Sequence, residues 1–194
     1  MEIRRTLLIT GPQQAGKTTF IKSARNEKLN DKELVTQWEK RYRIGWFKGC
    51  YDTPGSSDTL NKRKLNKLFK EYHRIVYMFR ANTFLEEINA PEKGGIINAE
   101  IKNLIIPIWN EIRNDYPDKR LFFIANKEND DDRSTDNIIK EILSKMEEAN
   151  NTYRKKTGQL RYPHIVILKE SAHFYCVDAT NCKDVQEITN KLFL

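Results

Sequence analysis

The sequence predicts an α/β fold in which residues 1–194 form a single domain around a mostly parallel six-stranded sheet, with one antiparallel edge strand and helices on both faces. Three observations lead there. Apolar runs of strand length alternate with helix-period segments at short intervals, the pattern of strand–helix–strand crossovers. The runs at Leu7-Leu8-Ile9, Ile75-Val76-Tyr77-Met78-Phe79 and Leu121-Phe122-Phe123-Ile124-Ala125 are continuously apolar, as strands buried on both faces must be. Polar turn-forming residues follow several of these runs, which is where an open α/β sheet carries its ligand.

The first element, Thr6 to Thr10, reads as a short strand that runs directly into Gly11-Pro12-Gln13-Gln14-Ala15-Gly16-Lys17-Thr18, a G-x-x-x-x-G-K-[ST] loop. Thr19-Phe20-Ile21-Lys22-Ser23-Ala24 follows with helical character. A chain wrapped around a phosphate turns successive backbone N–H groups inward and needs glycine where φ is positive or a side chain would collide, which Gly11 and Gly16 supply. The helix N-terminus behind the loop adds unpaired donors and partial positive charge. Gly11, Gln14, Ala15, Gly16, Lys17, Thr18 and Thr19 are therefore assigned to a nucleotide's phosphates. Lys17 reaches the β- and γ-phosphates, and the Thr18 hydroxyl ligates a magnesium ion between them.

Asn26 to Glu33 is polar and aperiodic, a loop. Thr36 to Arg43 alternates and reads as an exposed edge strand, turning at Ile44-Gly45 into a second strand, Trp46 to Tyr51, that pairs antiparallel with it and ends at Asp52-Thr53-Pro54-Gly55. Leu60 to His73 is helical, Ile75 to Phe79 is a buried strand, and a loop containing Pro91 and Gly94-Gly95 leads to a helix from Ile96 to Arg113, which Pro107 bends or divides. Tyr116-Pro117-Asp118 stops that helix. Arg120 to Ala125 is the next strand, ending at Asn126-Lys127-Glu128-Asn129. The acidic Asp130-Asp131-Asp132 leads to a long helix, Thr135 to about Lys155, with Ile138, Ile139, Ile142, Leu143 and Met146 on one face. His164 to Leu168 is a strand candidate, Phe174 to Val177 a further strand, and Asp184 to Leu192 the last helix.

The phosphate loop, Asp52-Thr53-Pro54-Gly55, Asn126-Lys127-Glu128-Asn129 and Asp178-Ala179-Thr180 all fall at predicted carboxyl ends of strands. That coincidence is the main functional signal. With these residues assembled, the chain resembles a Ras-like or Arf-like small GTPase of the P-loop GTPase superfamily over essentially its whole length. The resemblance implies a guanine-nucleotide (GTP/GDP) and Mg2+ site. In it Asp52 holds the metal through a water, the Gly55 N–H senses the γ-phosphate, and Thr36 is the candidate switch threonine that closes over the metal. Lys17, Thr36 and Gly55 then carry the chemistry, and Thr18, Thr36 and Asp52 serve the metal. Asn126 and Lys127 buttress the base loop and cover the base. Across from them the resemblance sets Asp178, Ala179 and Thr180, with the Ala179 N–H facing the purine carbonyl; Ser171-Ala172 is a rival placement.

Two departures matter. Asn129 stands where the family's N-K-x-D motif has a carboxylate, so one of the two acceptors for guanine is replaced by a donor. Either Asp130 swings in or base specificity is relaxed. Ser56 stands where many Ras-like proteins carry a water-orienting glutamine, which implies slow unaided hydrolysis, with a partner, a displaced side chain or a second subunit in a nucleotide-dependent dimer supplying the missing stabilisation.

Composition bounds the alternatives. Three cysteines, Cys50, Cys176 and Cys182, lack metal-ligand spacing, and the three histidines are scattered. No apolar run reaches membrane-spanning length, and neither end carries a signal peptide or lipidation motif, so a cytoplasmic protein is expected. A net charge of +7 raises the question of an acidic partner. The densest basic run, Lys62 to Arg74, has Leu65, Leu68, Phe69 and Tyr72 at helical spacing; it reads as a core-facing helix with a solvated basic face in preference to a nucleic-acid or membrane surface. The leading function is a nucleotide switch signalling to an effector or activating protein. A binding module without hydrolysis is an alternative, and a small-molecule or nucleotide kinase is a weaker one because it leaves the Asn126 motif without a role.

Overall fold

The structure, a computed structural model, describes residues 6–27, 40–44, 47–52, 62–91, 95–163 and 173–192, with backbone alone for 40–44 and 47–52. Its centre is a six-stranded sheet of β1 (Thr6–Thr10), β2 (Lys40–Ile44), β3 (Phe47–Asp52), β4 (Arg74–Arg80), β5 (Arg120–Asn126) and β6 (Phe174–Val177), in the order β2-β3-β1-β4-β5-β6. β2 runs antiparallel to β3, and the pairings of β1 with β3 and β4, β4 with β5, and β5 with β6 are parallel. Five carboxyl ends therefore open on one rim.

Period-two alternation assigns each strand residue to one of two apolar layers. Leu8, Tyr77, Phe79, Leu121 and Phe123 face the layer covered by α2 (Lys62–Glu71), α3 (Ala81–Asn89), α5 (Ile106–Ile112) and α6 (Thr135–Thr157). Leu7, Ile9, Val76, Met78, Phe122 and Ile124 face α1 (Lys17–Ala24) and α7 (Cys182–Lys191) on the other side. With both faces covered, β4 and β5 have no reason to alternate in polarity, which explains their uniformly apolar sequence.

α3 corrects the expectation of an unstructured connection between β4 and Pro91. It begins on Arg80 without a side-chain cap, so the usual sequence marker of a helix start is missing. Its burial of Ala81, Phe84, Leu85 and Ile88 supplies the stability instead, on the order of 1.5 to 3 kcal/mol for each large side chain.

The helix predicted from Ile96 is present to Ile112, in three pieces: α4 (Ile96–Glu100), a π-helical turn over Ile101–Ile105, and α5. Pro107 lacks an N–H and its ring crowds the carbonyl four residues back, so the chain widens its hydrogen-bonding period just before it. α6 is capped at both ends, by the Ser134 hydroxyl accepting from Asn137 N–H and by Gly158 at φ 73°. The basic run is divided: α2 ends at Glu71, and Arg74 begins β4, where its guanidinium donates to the carbonyls of Leu192 and Asp118.

Candidate functional site

The phosphate loop occupies the rim between β1 and α1. Gly11 has φ +140°, and a Cβ there would lie 1.9 Å from the Met78 carbonyl oxygen of β4, so no other residue fits. Gly16 has φ +88°, and a Cβ there would meet Asn126 Nδ2 at 2.4 Å. Gln14 is also left-handed, at φ 60°, a conformation that costs a side-chain-bearing residue roughly 1 kcal/mol or more. The sequence gives no sign of that strain, because glutamine is not a residue chosen for it.

No side chain caps α1 and no acidic residue lies in its first turn, so an anion meets the helix end without competition from a carboxylate there. Lys17 is 6% exposed, and its Nζ donates to the carbonyls of Gly11 (3.0 Å) and Pro12 (2.9 Å), which folds the amine over the loop's concave side. The Thr18 residue beside it is partly exposed. Asp52 ends β3 at the register position of Ile9, one residue from the β1 end. By residue type, a threonine hydroxyl and an aspartate carboxylate are the hard oxygen donors that suit Mg2+ shared with phosphate oxygens and water. Among the described residues no group of three His, Cys, Asp or Glu side chains could hold a metal ion. Thr36, Gly55, Ser56, the His164–Leu168 strand candidate and the rival Ser171-Ala172 lie outside the described residues, as does the Asp52 side chain.

The second motif meets the first. Asn126 is the last residue of β5; its Oδ1 accepts from the Ala179 N–H (3.0 Å), and its Nδ2 packs against Gly16. One amide thus joins the phosphate loop, the Asn126-Lys127 loop and the Asp178-Ala179-Thr180 loop. The Ala179 N–H, expected to face a purine carbonyl, is used within the protein instead. Ser23, buried on α1, completes the clamp by donating to the Ala179 carbonyl at 2.6 Å. Nothing in the sequence singles Ser23 out, since a small hydroxyl on a helix is usually incidental.

The loop after β5 is held by a network that sequence reasoning missed. Asp131 N–H donates to the Glu128 carbonyl at 3.1 Å, closing a turn, and Lys127 Nζ donates to the Arg133 carbonyl at 3.0 Å. The Arg133 guanidinium donates to Asp131 Oδ1 (2.8 Å) and Oδ2 (2.5 Å), to Asn82 Oδ1 (2.6 Å) and to Glu141 Oε2 (2.5 Å). Glu128 pairs with Arg80 at 2.6 Å. The Arg133 hydrogen bonds hold the Asp131 carboxyl down to about 2, and Asp131 in turn raises the already high Arg133 value. Asp131 is therefore committed, whereas Asp130 is exposed at the turn. The signal for this lock was Arg133 directly after three aspartates.

At the outer end, the Thr180 hydroxyl lies 2.6 Å from Asp178 Oδ1 and 3.1 Å from the Asn129 side-chain oxygen, and the Thr180 N–H also donates to Asp178 Oδ1 at 2.9 Å. Beneath the rim, Tyr77, level with Thr10 in the β1–β4 register, donates its hydroxyl to Glu100 at 2.7 Å. Burial raises the Glu100 carboxyl, against the opposing effects of the Tyr77 hydrogen bond and the Lys17 charge.

No protein-family model matches the sequence, and no curated protein matches it. Among solved structures the chain is similar to one described as the crystal structure of a probable GTP-binding protein engB, with a TM-score of 0.57 and 16% identity over 97% of this chain and 96% of that one. The chain accordingly has the fold of that solved protein. The likeness is to a protein described as engB, where the sequence resembles a Ras-like or Arf-like small GTPase; it shows the fold alone. Among the described residues no helix is long and apolar enough to cross a membrane.

Proposed function

We propose that this protein is a magnesium-dependent, guanine-nucleotide-binding switch with slow intrinsic GTP hydrolysis. The observation that carries the reading is Asn126, whose side chain touches Gly16 of the phosphate loop and the Ala179 N–H at once, so that the phosphate cradle and the base loop form one continuous rim. An independent support is the overall likeness to a solved GTP-binding protein.

In this reading the loop amides and the α1 N-terminus receive the β- and γ-phosphates, and Lys17 leaves the Gly11 and Pro12 carbonyls to neutralise them. Thr18 and Asp52 would hold Mg2+, which would offset charge on the phosphate oxygens, and Thr36 and Gly55 would be the residues that respond to the γ-phosphate. Ser56, in the place of a water-orienting glutamine, leaves hydrolysis slow until a protein partner or second copy completes the site. The effector reads the segments around Thr36 and after Gly55 in the cytoplasm.

Isothermal titration with GTP, in Mg2+ and in EDTA, tests the reading. Binding that needs Mg2+ and falls at least about a hundredfold in Lys17→Ala is expected, since a buried charge-assisted contact to phosphate is lost. Equal binding by the wild type and Lys17→Ala would overturn it.

A further inference from the structure

The far half of α6 carries a second concave surface, which begins about 15 Å along the helix from Thr135. There α6, the end of α3 and the segment at Arg161 enclose about 410 Å³. Ile88, Ala149 and Tyr153 give it an apolar lining. Three cations share that lining, Lys145, Lys156 and Arg161, against one carboxylate, Glu148, which pairs with Lys145 at 3.2 Å. Among the described residues neither Lys156 nor Arg161 has a carboxylate partner. The negative end of α6 accounts for Lys156 in the last turn, but not for Lys145 about three turns earlier, nor for Arg161 beyond the Gly158 cap. Arg161 is also fixed in advance. Buried Asn150 accepts from the Tyr162 N–H at 2.6 Å and donates to the Tyr162 carbonyl at 3.1 Å, which clamps the backbone beside it to α6. The guanidinium donates to the Pro91 carbonyl and lies over the Tyr153 ring, 5.7 Å from its centroid, while its Nε–H is buried without an acceptor. A planar cation held in this way gives up little freedom when it meets a carboxylate.

We propose that this concavity docks an acidic segment of a partner protein, with carboxylates on Lys156 and Arg161 and an aliphatic or aromatic side chain against Ile88, Ala149 and Tyr153. The mixed lining selects that occupant. A phosphate backbone would meet the cations and leave the apolar part uncovered, whereas a peptide with alternating chemistry covers both. The surface is built from α3, α6 and Arg161 and uses no residue assigned to the nucleotide, so docking needs no nucleotide and goes beyond the proposed function.

Fluorescence anisotropy of the full chain with a fluorescein-labelled peptide, Glu-Glu-Leu-Phe-Glu-Glu, tests the assignment, with Glu-Glu-Gly-Gly-Glu-Glu and Lys-Lys-Leu-Phe-Lys-Lys as comparisons. Saturable binding is expected with or without Mg-GTP, at least about tenfold tighter than to either comparison peptide and weaker at high salt. Lys156→Glu, at an exposed position, should weaken it about tenfold, and Arg161→Gln by as much or more. Lys67→Glu makes the same charge change on an exposed position of α2 and should leave binding unaltered. Urea midpoints identify any variant that has lost its fold, and Lys156→Glu alone then decides the matter. Absence of saturable binding, equal binding of Glu-Glu-Gly-Gly-Glu-Glu, or an equal loss in Lys67→Glu would reduce the effect to general attraction by a basic protein and overturn the proposal. Displacement of the peptide by polyuridylate at matched charge would assign the surface to nucleic acid and overturn it as well. A chain that takes the peptide but no nucleotide refutes the proposed function and keeps this site; the reverse result does the opposite.

Discussion

Removing the Asn126 side chain is the most revealing perturbation of the rim. In Asn126→Ala the Ala179 N–H, on a residue 2% exposed, loses its 3.0 Å acceptor. An unsatisfied buried amide costs about 1 to 3 kcal/mol, so nucleotide-free protein should lose about that much in urea unfolding. The same change uncouples the phosphate loop from the Ala179 loop, and Mg-GTP affinity should fall about tenfold or more. Gly16→Ala offers an internal control, because its Cβ would lie 2.4 Å from Asn126 Nδ2 and 3.1 Å from Cγ. In the double variant the collision is gone and only the left-handed strain of about 1 to 2 kcal/mol remains. A double-mutant cycle should therefore give a coupling of about 1 kcal/mol or more, with the pair less damaging than the sum of its parts. Strict additivity, or an Asn126→Ala protein with unchanged stability and affinity, would refute the argument that this amide joins the two loops.

Acid sensitivity follows from Asp131. Its folded value of about 2 lies below the ordinary 3.8, so the unfolded chain binds the proton more readily; the stabilisation is complete above about pH 5 and is lost as pH falls through 4 towards 2. Partial solvent access at Arg133, 36% exposed, brings the expected loss to about 1 kcal/mol, which urea midpoints across that range should show and Asp131→Asn should abolish. Cys176 is 5% exposed with its thiol pushed up to about 12 by burial, so alkylation at pH 8 should leave it unmodified until the protein unfolds. Single-turnover GTP hydrolysis by the isolated protein should be slow; fast hydrolysis without a partner would contradict the reading of Ser56.

Much of this architecture was legible because burial on two faces leaves little choice of residue. Ile75 to Phe79 and Leu121 to Ala125 could hardly be anything but strands, and Gly11 and Gly16 carry their conformational reason in their identity. The meeting of Asn126 with the phosphate loop was legible only as a resemblance, since residues more than a hundred positions apart share no local pattern. α3 was missed because Arg80 is no cap and Phe84, Leu85 and Ile88 span barely one turn of helix. The Arg133 lock and Ser23 were missed for a different reason: a side chain's partners depend on where other elements lie, and Asn82, Glu141 and Ala179 come from three of them. The helix dipeptide at Pro107 announced a disturbance, but its resolution as a π turn depends on keeping Ile101, Ile105 and Ile108 in the core together.

The central claim is that the glycine-lined loop, Lys17 and the Asn126 clamp form one purine-nucleotide cradle. Protein purified without added nucleotide, denatured, and its released small molecules separated by ion-exchange chromatography provides the most direct test. The account predicts a 6-oxopurine di- or triphosphate approaching one per chain, or stoichiometric uptake of GTP on incubation with Mg2+. Recovery of an adenine nucleotide, or refusal of every purine triphosphate by folded protein, would contradict it.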